Sequence, residues 1–463
     1  MDTKKLRQKI LDLAIHGKLV PQDSNDEPAS VLLERIRAEK ERLIKEGKIK
    51  KSKASKTSDT PHYENVPFEV PDGWEWTNIE ELFFVTKLAG FEYTDYLTKD
   101  TISSNNAVPI VRAQNVRMGY FIENTNEAIS EVLSQQLERS ALTKKCLLMT
   151  FIGAGIGDTC IFPALKRCHL APNVAKIEPY YDEMDLRYAL YYLMSDIGQL
   201  GVRGISKSTA QPSLSMATIR SLEVALPPLA EQERIVSEIQ RWFVVIDQIE
   251  QEKVELHAVI KQIKSKILDL AIHGKLVPQD PNDEPASKLF KRINPKAELT
   301  SDNGHYQNLP SGWAICKLED ITNYEQPTAY IVDSTDYDDN YPIPVLTAGK
   351  SFIIGYTNET ERIYSNLPCI IFDDFTTDSK LVNFPFKVKS SAMKILQVRT
   401  GIEIEYVSMF MSITRLIGDT HKRYWISEYS KLEIPIPPLA EQRRIVDAIH
   451  AAFAKFDAIM ESL

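Results

Sequence analysis

The sequence predicts an α+β protein in which two globular α/β domains are separated by two long antiparallel coiled-coil helices with pseudo-twofold symmetry. Three observations support this prediction: a long internal repeat, an apolar heptad pattern in mid-chain, and two stretches of short strand-like runs. The chain has 463 residues, enough for about three domains of ordinary size. Its composition is that of a globular protein and excludes collagen-like and wholly disordered classes.

The first part of the repeat lies at the N-terminus and again in mid-chain. Residues 9–30 (KILDLAIHGKLVPQDSNDEPAS) return at 266–287 with one difference, Ser24 against Pro281. Internal self-similarity of this kind decides the architecture of a chain. The sequence therefore predicts two copies of one structural frame.

The second part of the repeat closes each copy. The motif LPPLAEQERIV at 226–236 returns as IPPLAEQRRIV at 436–446, and each copy also contains a Gly-Trp pair, ending at Trp74 or Trp313. Between these landmarks the two copies show little identity. The frame repeats while its contents differ, which predicts one scaffold that presents two different surfaces.

The heptad pattern predicts a helix over residues 229–273, ended by Gly274 and then Pro278. Both chain termini continue the apolar register, so we predict that two terminal half-helices pair with the central helix in an intramolecular antiparallel bundle. The alternative is that the heptads only pack against a globular domain. The predicted seam and interface consist of Ile10, Leu13, Ile239, Trp242, Ile246, Ile249, Leu256, Ile260, Ile263, Ile267, Ile449 and Phe456.

Strand-like runs such as CLLMTFIG and CIIFDDF alternate with helical patterns such as LRYALYYLMSDIGQL, so each variable segment predicts an α+β domain with a mixed or antiparallel sheet. A lysine-rich stretch near residue 50 predicts a solvated helix that frays into a linker. The predicted segments are a helix and linker at 1–60, a first domain at 61–226, the central helix at 227–293, a second domain at 294–436 and a helix at 437–463.

No catalytic or cofactor motif in the sequence is complete. A GKS run at 349–351 lacks the glycine that a phosphate-binding loop needs at Pro344, and GAGIGDT at 153–159 lacks the helix pattern of a dinucleotide turn. Asp373 and Asp374 could suggest a metal-dependent nuclease, although such a pair is more often a turn element. We therefore predict no catalytic residue, no metal and no cofactor on this chain.

The cysteines and the N-terminus predict a soluble, cytoplasmic protein. The five cysteines are odd in number and form no CxxC pair, which predicts neither a disulfide framework nor a zinc site. No apolar run approaches the roughly 18 residues of a membrane span, and polar residues interrupt the N-terminal apolar stretch. We predict no membrane partner.

The doubled motifs resemble those of the DNA-specificity subunit of Type I restriction-modification systems, over essentially the whole chain. VPIVRAQNVRMGYF at 108–121 is similar to a family strand and turn near DNA, and VLTAGKSFIIGYTNE and FPFKVKSSAMKIL also resemble family sequences. The resemblance implies two target-recognition domains, each reading one half of a bipartite, asymmetric double-stranded DNA sequence. The length of the helices would set the gap between the halves.

The same resemblance implies a subunit that is non-catalytic on its own. Its partners would be two methyltransferase subunits, which bring S-adenosylmethionine and modify adenine, and restriction subunits, which are motor-nucleases that use ATP and magnesium. The alternative is a coiled-coil interaction scaffold or decoy subunit that does not itself read DNA.

Because the net charge is −9, any surface for DNA must be local. Acid-free stretches rich in Arg, Lys, Gln and Ser are the candidates, since Arg and Gln can read base edges and small hydroxyls suit phosphates. The predicted DNA-binding residues are Arg112, Gln114, Asn115, Arg117, Arg203, Lys207, Gln211, Lys350, Lys380, Lys387, Lys389, Lys422, Arg423 and Tyr424.

Overall fold

The computed structural model describes residues 2–49, 68–204, 213–301, 306, 308–347, 351–416 and 423–462. The chain divides into two compact units, Met1–Gln251 and Glu252–Leu463, which we call unit 1 and unit 2. The division falls inside the central helix. Nothing in the fold tests the finer boundaries given above for the five segments, and they stay a prediction.

The central helix, α9, matches the predicted span to one residue. It is 44 residues long, which corresponds to about 66 Å at 1.5 Å per residue. The helices are α1 (Thr3–Ile15), α2 (Ala29–Lys45), α3 (Ile79–Leu82), α4 (Gly90–Tyr96), α5 (Glu131–Gln136), α6 (Leu186–Met194), α7 (Asp196–Gly204), α8 (Met216–Arg220), α9 (Leu229–Ile272), α10 (Ala286–Ile293), α11 (Leu318–Ile321), α12 (Ile404–Ile413) and α13 (Leu439–Ser462).

One predicted helix is in fact two. The pattern LRYALYYLMSDIGQL predicts continuous helix, but Ser195 has an extended backbone and separates α6 from α7. The Ser195 hydroxyl accepts a hydrogen bond from the Gly198 amide at 3.1 Å, which caps the start of α7. The cap that the buried Ser195 provides therefore divides the segment into two helices, although the spacing of its apolar residues suits one continuous helix.

The strands alternate with these helices in both units. Unit 1 contains β1 (Glu75–Asn78), β2 (Phe83–Lys87), β3 (Val108–Val111), β4 (Val116–Arg117), β5 (Tyr120–Phe121), β6 (Ala128–Ile129), β7 (Ala141–Leu142), β8 (Cys146–Thr150), β9 (Thr159–Phe162), β10 (Cys168–Leu170), β11 (Val174–Pro179) and β12 (Glu223–Leu226). Unit 2 contains β13 (Ala314–Lys317), β14 (Thr322–Glu325), β15 (Ile343–Leu346), β16 (Ile353–Thr357), β17 (Cys369–Asp373), β18 (Ser379–Val382), β19 (Lys387–Val388), β20 (Met393–Val398) and β21 (Glu433–Ile436).

The two units share one strand topology although their sequences between the repeated motifs differ. The four-stranded sheet β2-β11-β8-β9 of unit 1 has the same order as β14-β20-β17-β18 of unit 2. The antiparallel pair β1-β12 corresponds to β13-β21, and both units contain a mixed sheet with one parallel contact, β3 with β10 and β15 with β19. The predicted α+β class with mixed sheets is confirmed.

Each unit also pairs a terminal helix with one half of α9 in antiparallel fashion. In unit 1, Arg7 of α1 forms ion pairs with Asp247 and with Glu250, while Asp26, beyond α1, reaches back to Arg234 near the start of α9. In unit 2, Lys264 of α9 lies 2.5 Å from Asp457 of α13. The predicted antiparallel pairing is confirmed within each unit.

Burial along the predicted seam is uneven. Ile239 and Ile246 belong to the same apolar core as Trp74 of the globular part, so in unit 1 the heptads pack against the domain as well as against α1. Ile263 is 38% exposed, and the prediction that it lies in the buried seam is wrong. The buried members are Ile10, Ile239, Ile246, Ile260 and Ile449, and the half-buried members are Leu13, Trp242, Ile249, Leu256, Ile267 and Phe456.

A buried carboxylate joins the repeated motifs in each unit. In unit 1, the Trp74 indole Nε1 donates to Glu231 Oε2 at 2.9 Å, and Gln22 Nε2 donates to Glu231 Oε1 at 2.8 Å. Glu231 belongs to the LAEQ motif, Trp74 to the Gly-Trp pair and Gln22 to the VPQD motif. We call this three-residue arrangement the carboxylate clamp.

Unit 2 contains the same clamp from the second copy of each motif. Trp313 Nε1 donates to Glu441 Oε2 and Gln279 Nε2 donates to Glu441 Oε1, both at 3.0 Å. The glutamine that follows each clamp glutamate donates to a proline carbonyl at 2.9 Å in both units. The sequence repeat is therefore a repeat of buried hydrogen bonds.

Two glycines of the repeat are required by close packing. Gly17 has φ +64°, and a Cβ there would lie 2.4 Å from Pro71 Cγ. Gly274 has φ +65°, and a Cβ there would lie 2.3 Å from Pro310 Cγ. The left-handed backbone therefore ends α1 and α9 in the same way in both units.

Among the described residues, no helix combines the length and the apolar character needed to cross a membrane.

Replacing Ile246 by Ala tests the packing of α9 in unit 1. Ile246 is fully buried, so the truncation should lower the free energy of unfolding by about 2–5 kcal/mol. Val244, two residues away on the same helix, is 65% exposed, and Val244→Ala should change stability by less than about 0.5 kcal/mol. Denaturant unfolding measures both variants, and equal effects would contradict the packing described.

The clamp glutamates predict a pH dependence of stability. Burial raises the pKa of the Glu231 and Glu441 carboxyls above the ordinary value for glutamate. The hydrogen bonds that these carboxyls accept from Trp and Gln lower the pKa, but the effect of burial is larger. A carboxyl whose pKa is higher in the folded state stabilises the fold below its unfolded pKa and loses that contribution as the pH rises through the folded value.

Replacing both clamp glutamates by glutamine should remove this dependence. The stability of the unmodified chain relative to the Glu231→Gln, Glu441→Gln variant should fall as the pH rises from about 4 to 7. Glu233→Gln, at an exposed position two residues after Glu231 on α9, is the control. Denaturant unfolding across this pH range is the measurement, and parallel curves for the chain and the double variant would be the contrary result.

Candidate functional site

In each unit one turn of the four-stranded sheet gathers the candidate residues. Residues 152–158, the first turn, follow β8, and residues 375–378, the second turn, follow β17. The Phe151 carbonyl accepts from the Leu214 amide at 2.9 Å, and the Asp374 carbonyl accepts from the Tyr424 amide at 3.0 Å. Phe151 and Asp374 thus hold the same place, and a returning segment is joined to the sheet there in both units.

The first turn is bordered by two elements that are distant in sequence. The Gly119 amide of the β4-β5 hairpin donates to the Thr159 carbonyl at 2.9 Å. On the other side, Gly157 has φ +86° and a Cβ there would lie 2.9 Å from a methyl of Val202 on α7. Glycine is required because the turn and the helix approach this closely.

This packing places elements from two predicted patches beside one turn. Arg117 lies in the hairpin, and Arg203 is exposed in the last turn of α7. Arg117 Nη1 donates to the carbonyls of Ala113 and Val116 at 3.2 and 2.9 Å, which fixes its guanidinium beside the turn. Burial raises the pKa of the Asp158 carboxyl, and the positive charge of Arg117 acts in the opposite direction.

Two arginines from outside the sheet lie beside the second turn. The Arg423 guanidinium lies 5.9 Å from the Phe375 ring centroid, and Arg415 forms an ion pair with Asp378. Lys380, two residues after the turn, lies 4.5 Å over the Phe352 ring. Sequence reasoning missed Arg415, whose only signal is a single arginine after the apolar pattern of α12.

The shape of the second turn comes from Asp373. Its Oδ1 accepts from the Phe375 amide at 2.9 Å, and its Oδ2 accepts from the Thr376 hydroxyl at 2.7 Å. Asp374 is buried and paired with Lys394 at 3.3 Å. Both carboxylates considered for metal binding are therefore occupied by contacts within the chain.

Three residues predicted to bind DNA are buried within the protein. Asn115 donates to the carbonyls of Ile122 and Asn124 and accepts from the Arg112 amide, all at 2.9 Å. Lys387 is 1% exposed and lies 2.6 Å from Glu359. Tyr424 is buried in the core of unit 2. Direct contact with DNA needs exposure, so the prediction is wrong for the side chains of Asn115, Lys387 and Tyr424.

The remaining predicted residues differ in their surroundings. Arg112 is half-buried and paired with Glu127, so its charge is used inside unit 1. Gln114 and Lys389 are exposed, but no described contact joins either of them to a turn. Arg117, Arg203, Lys380 and Arg423 are the predicted residues that the structure brings to the turns. Lys207, Gln211, Lys350 and Lys422 lie outside the described residues.

The described part of the chain offers no group of three or more histidine, cysteine or carboxylate side chains that could hold a metal ion. The cysteines are buried, and burial raises the pKa of the Cys168 thiol to about 11. A thiol of this kind stays protonated near neutral pH. Guanidinium groups border both turns, and at the second turn Arg423 also lies beside an aromatic ring; such groups suit anionic and planar ligands.

Comparison with known proteins gives consistent results. The family model described as the Type I restriction modification DNA specificity domain matches residues 71–260 and 310–463. The Type I restriction enzyme EcoAI specificity subunit of Escherichia coli is 31% identical over 388 residues, which cover 69% of this chain and 62% of that protein. The EcoR124I/EcoR124II specificity subunit of Escherichia coli is 53% identical over 126 residues, covering 26% of this chain and 31% of that protein.

A solved structure shares the fold. A chain from a study of complex assembly and conformational transition of the type I R-M system superposes with a TM-score of 0.54 at 14% identity, covering 86% of this chain and 94% of that one. The alignments with EcoAI and with the EcoEI specificity subunit of Escherichia coli span about three fifths of those proteins, 62% and 61%.

Proposed function

Because this chain belongs to the family of Type I restriction-modification DNA-specificity subunits, we propose that it reads a bipartite, asymmetric sequence in double-stranded DNA, one half with each unit. The observation that carries the proposal is that the first and second turns follow corresponding strands in the two units. In each unit an exposed arginine lies near the turn that follows the same strand of the four-stranded sheet, Arg203 at the end of α7 in unit 1 and Arg423 in unit 2, while the residues around the turns differ. One scaffold with two unlike surfaces suits two unlike half-sites.

The charges at the turns support this reading. The chain as a whole is acidic, yet Arg203 and Arg423 are exposed beside turns. Guanidinium groups bind phosphates and can read guanine edges through two parallel hydrogen bonds. A charged surface acts over about a Debye length, roughly 8–10 Å in physiological salt, so local charge decides the contact with DNA.

We further propose that the chain directs partner subunits and supplies no chemistry of its own. Two methyltransferase subunits would bring S-adenosylmethionine to adenines in the target, and restriction subunits would use ATP and magnesium. The clamp glutamates and Asp373, which precedes the second turn, have structural contacts within the chain, and the cysteines are buried. The protein would work in the cytoplasm, where the DNA is.

The helix α9 supports a proposal for the spacing of the half-sites. It continues without interruption from unit 1 into unit 2, as a linker of fixed length would. Half-sites read from one face of DNA lie about 34 Å apart for each helical turn, a distance within the length of α9. The length of α9 would set the gap between the two halves of the target.

Mapping of methylated adenines in cells that contain this chain and its cognate methyltransferase subunit tests the function. We expect a split motif, because each unit reads one half. Exchanging residues 75–225 for those of a relative with another specificity should change one half of the motif and leave the other. A stable complex that methylates no defined sequence would favour the interaction scaffold or decoy.

Single substitutions test the two turns. Arg203→Ala and Arg423→Ala should each weaken binding of the assembled complex to its cognate duplex by about 5- to 150-fold, which corresponds to about 1–3 kcal/mol. Lys145→Ala is the control, since Lys145 is exposed but precedes β8, at the strand end opposite the first turn. Equilibrium binding at fixed salt is the measurement, and unchanged affinity in both arginine variants would place the DNA surface elsewhere.

A further inference from the structure

Unit 2 buries a charged pair directly behind the second turn. Asp374 is 2% exposed and Lys394 is 1% exposed, and their charged atoms lie 3.3 Å apart. Removing two charges from water is costly, and replacing such a pair by apolar side chains often leaves stability unchanged or increases it. Stability alone therefore does not account for the pair.

Asp374 holds the segment that carries Arg423. Its carbonyl accepts from the Tyr424 amide at 3.0 Å, and its side chain Oδ1 accepts from the Trp425 amide at 2.8 Å. Trp425 is buried against Phe372, with ring centroids 5.1 Å apart. Two consecutive amides are thus fixed to one residue, and the exposed Arg423 immediately precedes them.

Lys394 makes this arrangement possible. A buried carboxylate without a counter-charge would be protonated or would pull the segment open to water. The ammonium group of Lys394 faces Asp374 Oδ2, which leaves Oδ1 to the Trp425 amide. The lysine therefore pairs with one oxygen of the carboxylate and leaves the other oxygen for the backbone.

Unit 1 makes the same join without a charged pair. At the equivalent position, the Phe151 carbonyl accepts from the Leu214 amide at 2.9 Å, and the Phe151 ring lies 4.9 Å below Lys87 Nζ. The shared topology thus tolerates an apolar side chain here. The pair is a feature of unit 2 alone, as expected for a group that serves the surface of that unit.

We propose that Asp374, neutralised by Lys394, is a positioning residue for DNA recognition by unit 2, since it fixes the backbone that places Arg423 beside the second turn. This inference rests on the proposed function. Asp374 does not touch DNA in this role. It acts through the Trp425 amide and so through the position of Arg423.

Two double variants separate positioning from charge. Asp374→Leu with Lys394→Met removes the hydrogen bond to Trp425 and should weaken binding of the assembled complex to cognate DNA about as much as Arg423→Ala does. Asp374→Asn with Lys394→Gln keeps an acceptor for the Trp425 amide, and its affinity should stay within about threefold of the unmodified complex. Asp374→Ala with Lys394→Met removes the same bond with less bulk, should the leucine variant fail to assemble.

Combination with Arg423→Ala distinguishes positioning from a general loss of stability. If Asp374 acts through Arg423, the apolar pair should cause little further loss of affinity in the Arg423→Ala background. A matched control is Glu359→Gln with Lys387→Gln, which alters another ion pair of unit 2 whose lysine is buried. It should lower the thermal midpoint of the chain without changing DNA affinity.

The outcomes separate this inference from the proposed function. Affinity of the apolar pair equal to that of the unmodified complex, or a loss that multiplies in full with that of Arg423→Ala, would overturn the positioning role. Loss of affinity in the Asn/Gln variant as large as in the apolar pair would also overturn it. A complex with no preference for any DNA sequence would overturn the proposed function itself.

Discussion

The fold of each unit depends on one buried hydrogen-bonded carboxylate. Glu231 and Glu441 each accept from an indole and from a carboxamide, and these donors come from two other motifs of the repeat. A buried carboxylate without donors would cost several kcal/mol, so the three segments must meet in one geometry. This requirement ties the end of one helix, the entry to the domain and the start of the next helix to a single point.

With its frame held in this way, each domain is free to vary where it is exposed. The strands of the four-stranded sheets keep their order in both units, yet the turn after β8 is rich in glycine and the turn after β17 is built by Asp373. The two turns follow corresponding strands but are built from different residues. Differences of this kind change a surface without changing the core beneath it.

Much of the frame could be predicted from the sequence, because its signals are periodic or repeated. The heptads place α9 at Leu229–Ile272, one residue short of the prediction, and the repeat marks both clamps. The seam fails at Ile263, between the buried Ile260 and the half-buried Ile267, because a helix of 3.6 residues per turn drifts from a seven-residue repeat. Toward the end of α9 the buried residues are Leu268, Ala271 and Ile272.

The surface was less predictable, because a polar side chain is buried or exposed according to partners that are distant in sequence. Lys387 is a basic residue in an acid-free stretch, but it is buried and forms an ion pair with Glu359, which is distant in the sequence. Arg117 and Arg203 are 86 positions apart in the sequence, and only the packing of Gly119 and Gly157 brings their elements to one turn. The acidic composition misleads for the same reason: ion pairs such as Arg7 with Asp247 use many charges within the chain. Which basic side chains stay exposed near the turns, such as Arg203 and Arg423, therefore depends on these long-range contacts and not on the local sequence.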